Sequence, residues 1–268
     1  MSHFAIERLS VEAAAEKLPE SERWVGAILG RVEPLLPPGE SRAALDVGAA
    51  QGRSLIALRR RGYRAYGVEP WSEAIEVARQ LAEREGCEID IRAGTAEAIP
   101  FEDESFDLVI ATSVIEHVEN LQASLAEIFR VLRPGGVFWF NAASAVSPRQ
   151  EEIARFPLFG WYPDRLKYRI MMWAKDHAPQ LIGHTQRPAL HWFTPRKARR
   201  ELRAAGFDEV WDRWELRRLD EETGLRRSLL RLLRGIPILK LAADVAISGC
   251  SFGARKRGDD PTAEATRS

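Results

Sequence analysis

The residues best placed to do chemistry in this chain are two carboxylates and a set of closely spaced glycines. Asp46, Gly48 and Gly52 fall within the run Leu45 to Arg53, LDVGAAQGR, and Glu69 follows about twenty residues on. Ala43, Ala44, Leu45 and Val47 form an apolar run that reads as a buried strand, ending in a small-residue loop before a helical pattern over 54–61. Glycine lets the backbone turn sharply and approach a ligand that a Cβ would obstruct. The helix that follows offers free N–H groups and a partial positive charge to a carboxylate or a phosphate. By itself such a loop fits either a nucleotide-type ligand or a plain tight turn. Tyr66-Gly67-Val68-Glu69 reads as a second short strand ending in a carboxylate, which can accept both hydroxyls of an adenosine ribose. The alternative is a solvated strand-end acid.

Three further segments extend the pattern. Gly94-Thr95-Ala96-Glu97-Ala98-Ile99-Pro100-Phe101 follows a third strand. Ser105 to Ser113 is a strand with a buried apolar run, followed by Val114-Ile115-Glu116-His117-Val118. A helix then carries Leu121, Leu125, Ile128, Phe129 and Leu132 on one face, and Arg133-Pro134-Gly135-Gly136 is expected to stop it. Val137 to Phe140 reads as the fifth strand.

Over residues 43–141 this arrangement resembles the class I S-adenosylmethionine-dependent methyltransferases, and within them the ubiquinone- and sterol-type enzymes. Asp46, Gly48 and Gly52 match their D-x-G-x-G-x-G loop, with Ala50 in place of the middle glycine. The segment 94–101 resembles their G-D-A-E-x-L-P-F stretch, with Thr95 where aspartate is usual, and residues 106–136 resemble F-D-x-V…E-H…L-R-P-G-G. The resemblance implies S-adenosyl-L-methionine as cofactor, held by Asp46, Gly48, Ala50, Gly52, Glu69, Pro70, Trp71, Thr95, Ala96 and Ser113. Pro70 and Trp71 would flank the adenine, Trp71 being equally suited to packing. The Thr95 hydroxyl would bond the adenine amine and a backbone N–H of Ala96 or Glu97 the ring. The implied fold is α/β: a doubly wound, Rossmann-like sheet of seven strands, mostly parallel with one antiparallel strand, with ligands beyond the carboxyl ends of the strands.

Composition agrees. The 268 residues are 45% hydrophobic, enough for one sizeable core. The 39 basic and 39 acidic residues balance, so no global field argues for nucleic acid, which is not an expected partner. Cys87 and Cys250 form neither a disulfide framework nor a metal site, and no metal is expected. The N-terminus lacks a signal pattern and no apolar run reaches spanning length, so the expectation is a cytoplasmic protein with optional peripheral contact with a membrane.

The organisation expected is an N-terminal helical cap over 1–40, with Trp24, Ile28 and Leu29, covering the cofactor cleft. A methyltransferase core follows over 41–144 and 194–257, then a polar disordered tail over 258–268. Thr194-Pro195 begins a core helix as cap and first residue, Gly206 ends it, and 207–214 and 247–254 are the last two strands. Two insertions interrupt the core. Residues 145–193 are aromatic, with Asp176, His177, His184 and His191 interleaved, and suit either an acceptor lid or a small satellite core. Within 218–246, Leu229, Leu230, Leu232 and Leu233 alternate with Arg226, Arg227, Arg231 and Arg234, and Pro237 divides the segment in two. Residues 226–240 can lie on an anionic membrane surface or pack leucines on the sheet with arginines in water.

Methyl transfer is an in-line displacement, so positioning dominates, and a base is needed only for a hydroxyl or an enolizable carbon. His117, at the carboxyl end of the fourth strand, is the first candidate base, with His184 and His191 next; His117 equally suits a supporting role around Ser113. The expectation is therefore methyl transfer to a small or lipid-like acceptor. Its rivals are a non-catalytic cofactor-binding regulatory module, which Ala50 and Thr95 favour, and an RNA or protein methyltransferase.

Overall fold

The apolar runs become the middle of one sheet. The computed structural model describes residues 10–39, 41–150, 153, 156–182, 189–217 and 223–258. In chain order these form α1 (Val11–Glu16), α2 (Leu18–Val32), β1 (Ala43–Val47), α3 (Arg53–Arg59), β2 (Arg64–Glu69), α4 (Ser72–Arg84) and β3 (Asp90–Ala93). Then come β4 (Phe106–Thr112), α5 (Leu121–Val131), β5 (Leu132–Ala143), α6 (Asp164–His177), α7 (Pro195–Ala204), β6 (Glu209–Asp212), α8 (Gly224–Gly235), α9 (Pro237–Ala246) and β7 (Gly249–Arg255). The seven strands lie in the order β3-β2-β1-β4-β5-β7-β6. The first five are parallel, while β7 is antiparallel to both β5 and β6. The strand order reverses between β1 and β4, which puts a crevice at their carboxyl ends.

Alternation along the strands decides the two layers. Leu45, Val109, Phe138 and Phe140 pack on one face against α5 and α7, through residues such as Leu125, Ile128, Ala198 and Leu202. Ala44, Leu108, Ile110 and Trp139 point to the other face and pack against Val25, Ile28 and Leu29 of α2 and Leu55 and Leu58 of α3. Adjacent strand residues thus serve opposite cores, and both faces must be apolar. Helix starts follow local chemistry: the Asn120 side chain accepts the Ala123 N–H, and the Thr194 hydroxyl accepts the Lys197 N–H ahead of Pro195.

Three expectations change in detail. The Arg133–Gly136 segment does not lie beyond the helix as a stop; α5 ends at Val131 and β5 begins directly at Leu132. Leu132 pairs with Phe106 and pairing resumes at Val137 opposite Leu108, so the four residues form an irregularity inside β5. Pro134 has no N–H to donate and Gly135 takes φ +79°, both of which a bulge accommodates. The leading segment is two helices. α2 packs on the sheet face, with Trp24 edge-on to Trp139 at 5.5 Å, and α1 sets Ala14 against Ile56, Val77 and Leu81 of α3 and α4. The 145–193 insertion has its own small core of Phe159, Met171, Ala174, Ala189 and Trp192, on Ala143 at the end of β5. Residues 259–268 of the expected tail lie outside the described residues, as do 218–222 of the basic insertion.

Candidate active site

The site is built at the carboxyl ends of β1, β2 and β4. Asp46 stands opposite Gly67 in β2 and Ile110 in β4. Gly67 is required there: a Cβ would lie 2.8 Å from Leu55 Cδ1 and 2.9 Å from Ala49 Cβ, so a side chain would push α3 and the loop off the sheet. The Gly48 and Ala49 N–H groups both donate to the Val68 carbonyl, at 2.8 and 3.1 Å, which folds the loop back over the tip of β2. Gly48 (φ +78°), Ala50 (φ +46°) and Gly52 (φ +71°) all lie in the left-handed region. Ala50 is thus an alanine at a backbone position that favours glycine. A Cβ on Gly48 would collide with Val114 Cγ2, so glycine here also lets the β4 tip close on the loop.

Glu69 is 6% exposed and its carboxylate is aimed by two backbone donors, the Ala50 N–H at 2.9 Å and the Trp71 N–H at 3.2 Å. Burial raises its pKa, and those two N–H groups partly oppose the shift. Asp46 is more deeply enclosed, and burial pushes its carboxyl up to about 7 despite a hydrogen bond from the Ser54 hydroxyl to Oδ2. Its Oδ1 is buried with no hydrogen-bond partner among the described residues. An orphaned acceptor inside a glycine loop, beside a carboxylate already positioned, fits the polar end of an amino-acid nucleoside.

Pro70 and Trp71 are exposed at the mouth of the site, Trp71 by 42%. Thr95 is exposed and Ala96 buried in a turn closed by the Ala98 N–H on the Thr95 carbonyl. The Glu97 carboxylate accepts the Glu119 and Asn120 N–H groups at 2.9 and 3.4 Å, tying the turn to the start of α5. Burial would raise the Glu97 pKa, but these donors outweigh it and hold it low. Glu97 as a side-chain strut escaped the sequence reading, which had used only its backbone. Asn141 escaped it altogether. Its Oδ1 accepts the Ser113 N–H at 3.1 Å, holding Ser113 at φ +50° on the tip of β4. A lone asparagine in the strand Val137–Ala143 was the available signal.

On the acceptor side, the His117 N–H closes a turn on the Val114 carbonyl at 2.8 Å, and the imidazole is half-buried. The end of the lid is strapped to this turn: Leu190 and His191 donate their N–H groups to the Glu116 carbonyl at 2.6 and 3.0 Å. His191 Nε2 lies 3.0 Å from the Val118 carbonyl, so Nε2 carries the proton and Nδ1 is the basic nitrogen. Burial lowers the His191 pKa, which keeps the ring neutral. His117 and His191 therefore belong to one neighbourhood, whereas His184 lies outside the described residues. The thiol of Cys250 is pushed up to about 12 by burial, which removes it as a nucleophile at neutral pH. No metal-binding cluster occurs among the described residues.

The chain is similar to known proteins over the part that carries this site. Residues 45–140 match the methyltransferase domain family. A ubiquinone biosynthesis O-methyltransferase of Paramagnetospirillum magneticum is 36% identical over 122 residues, which cover 46% of this chain and 49% of that one. The chain thus spans about half the length of the curated relatives it matches. Among solved structures, phosphoethanolamine N-methyltransferase 2 of Haemonchus contortus, crystallised with S-adenosyl-L-methionine, superposes with a TM-score of 0.56 at 15% identity. The match covers 93% of this chain and 58% of that one. The [4+2]-cyclase SpnF superposes at 0.55 with 18% identity, covering 88% and 82%. At such identities these two likenesses speak for the fold alone. The first loop and the curated relatives alike liken residues 45–140 to the methyltransferase domain that this family describes.

Proposed function

We propose that the chain transfers a methyl group from S-adenosyl-L-methionine to the oxygen of a small, lipid-like acceptor enclosed beneath the 145–193 lid. The observation that carries this reading is Glu69, a buried carboxylate at the tip of β2 aimed by the Ala50 and Trp71 N–H groups, so that its remaining lone pairs suit two vicinal hydroxyls. In this reading Glu69 holds the ribose, and Asp46, Gly48, Ala50 and Gly52 receive the amino-acid end. Pro70, Trp71, Thr95 and Ala96 border the adenine, and Ser113 lies at the turn toward the acceptor. The Thr95 hydroxyl accepts from the adenine amine in this reading. Bound there, the cofactor supplies an electrophilic methyl group on a sulfonium. The protein's part is to hold the acceptor atom about 3 Å from that carbon, in line with the departing sulfur, and to keep water out.

The oxygen acceptor is suggested by the names of the curated relatives, and an apolar body by the aromatic lid. A hydroxyl needs its proton removed, and His117 is the base in this proposal. His191 is the alternative through Nδ1, and His184 the third candidate. Calorimetry with S-adenosylmethionine and with its demethylated product tests the cofactor half of the reading. The wild type should bind both in the micromolar range, and Glu69→Ala should weaken both by about tenfold or more through loss of charge-assisted hydrogen bonds. Absent binding by a folded wild type overturns the proposal. His117→Asn separates the catalytic half: it should lower turnover and leave cofactor affinity unchanged. Binding without turnover on any phenolic or isoprenoid acceptor would instead favour the non-catalytic reading, which Ala50 and Thr95 favour as departures from the glycine and aspartate of the motif.

A further inference from the structure

The α8–α9 hairpin has two apolar faces, and only one is used. Leu230 and Leu233 turn inward onto Trp214 and Ala243. Polar contacts pin the hairpin beside them: Arg234 donates to the Trp214 carbonyl at 2.8 Å, Trp214 Nε1 donates to Asp244 at 2.7 Å, and Lys240 pairs with the buried Asp212. Leu225, Leu229 and Leu232, spaced i, i+4, i+7, form a second row on α8, about a quarter-turn from the first, and Ile238 and Leu241 are exposed on α9. Leu225 is 85% exposed and Ile238 73%. Isolated exposed leucines are ordinary, but a contiguous row on a helix already fixed by its other face marks a contact surface.

Charge indicates what covers it. No acidic residue occurs between Gly224 and Ala243, in a chain whose charges otherwise balance, while Arg226, Arg227 and Arg231 are exposed on the flank and far side of α8 from the leucine row. A second copy meeting this face across a two-fold axis would set arginines against arginines. An anionic lipid surface receives both features at once, leucines into the acyl boundary and arginines at the headgroups. No described helix is long and apolar enough to cross a membrane, so the contact is peripheral.

Topology makes this contact useful. Gly249, the first residue of β7, pairs with Ala143, the last of β5, so α9 delivers the chain to the same strand-end rim that carries the candidate site. The lid leaves β5 at that rim too. We propose that the α8–α9 hairpin docks the protein on an anionic lipid surface and so presents this rim to acceptors held in that surface. The docking stands by itself; its link to the acceptor rests on the function proposed above.

Vesicle flotation tests it. Wild type should float with equimolar phosphatidylcholine–phosphatidylglycerol vesicles, not with phosphatidylcholine alone, and high salt should reduce the floating fraction. A Leu225→Gln, Leu229→Gln, Leu232→Gln variant and an Arg226→Gln, Arg227→Gln, Arg231→Gln variant should each float about tenfold less. Both leave Arg234 and the inward leucines untouched, so helical circular dichroism and S-adenosylmethionine binding should match wild type. Wild type that does not float, or variants that float equally, overturns the docking. So does a wild-type dimer in solution that the leucine variant abolishes, which would assign the face to a second copy. Flotation together with absent cofactor binding leaves the docking standing and fails only the proposed function.

Discussion

Asp46 shows how placement changes what a side chain can do. In the unfolded chain its carboxyl titrates near 3.9, and in the folded protein near 7, because burial costs more than the Ser54 hydroxyl returns. The folded state therefore binds the proton more tightly across that window. Stability is greatest below it and falls as pH rises from about 4 through 7. The urea midpoint of the cofactor-free protein should drop between pH 5 and pH 8, and Asp46→Asn should flatten that drop. Glu69, also raised by burial, acts in the same direction and should leave a residual slope. Ala50 makes a second residue-level case. Its left-handed backbone costs an alanine about 1–2 kcal/mol, while glycine would release about 0.5–1 kcal/mol more entropy on unfolding. Ala50→Gly should accordingly raise stability by up to about 1.5 kcal/mol, read as a higher urea midpoint at unchanged m-value.

Between elements, the site depends on the close approach of the β1 loop to the tip of β4. Gly48 is where they meet, and Val114 is the group that would collide with a side chain there. Gly48→Ala should cost about 2–4 kcal/mol, part from φ +78° and part from the collision. In a Val114→Ala background the collision disappears and about 1–2 kcal/mol should remain, the backbone share. A double-mutant cycle in urea checks this; equal costs in the two backgrounds would mean the elements do not touch as described. Glu97 and Asn141 act at the same level, the first bracing the turn after β3 against α5, the second bracing β4 against β5. Neither residue needs to meet a ligand to matter, because each sets the position of backbone that borders the site.

The molecule as assembled is a sheet with two apolar layers and two appendages at one rim. The lid keeps a core of its own around Phe159, Met171 and Trp192, joined to the sheet mainly at Ala143 and by the strap of Leu190 and His191 on Glu116. Such a unit should open without unfolding the sheet. Phe159→Ala should remove about 3–5 kcal/mol from that unit. Amides of α6 should then exchange faster while those of β1, β4 and β5 keep wild-type protection, as native-state hydrogen exchange would report. Uniform acceleration would instead make lid and sheet one cooperative body.

Local chemistry in the chain was enough for much of this. The continuous apolar runs, the glycines of the first loop, the acid at the end of β2 and the Thr194-Pro195 start specify strands, turns and caps through interactions a few residues long. They made the individual strands and the positions of Asp46, Gly48, Gly52 and Glu69 legible, while the doubly wound sheet was what the family resemblance implied. Contacts between residues far apart were not. The Glu97 brace, the Asn141 grip on Ser113 and the strap that brings His191 beside His117 each join segments distant in sequence. The same holds for which leucines of α8 face inward. An amphipathic pattern states that two faces exist, but only the packing partner, here Trp214, selects the one that is buried and leaves the other to water or to lipid.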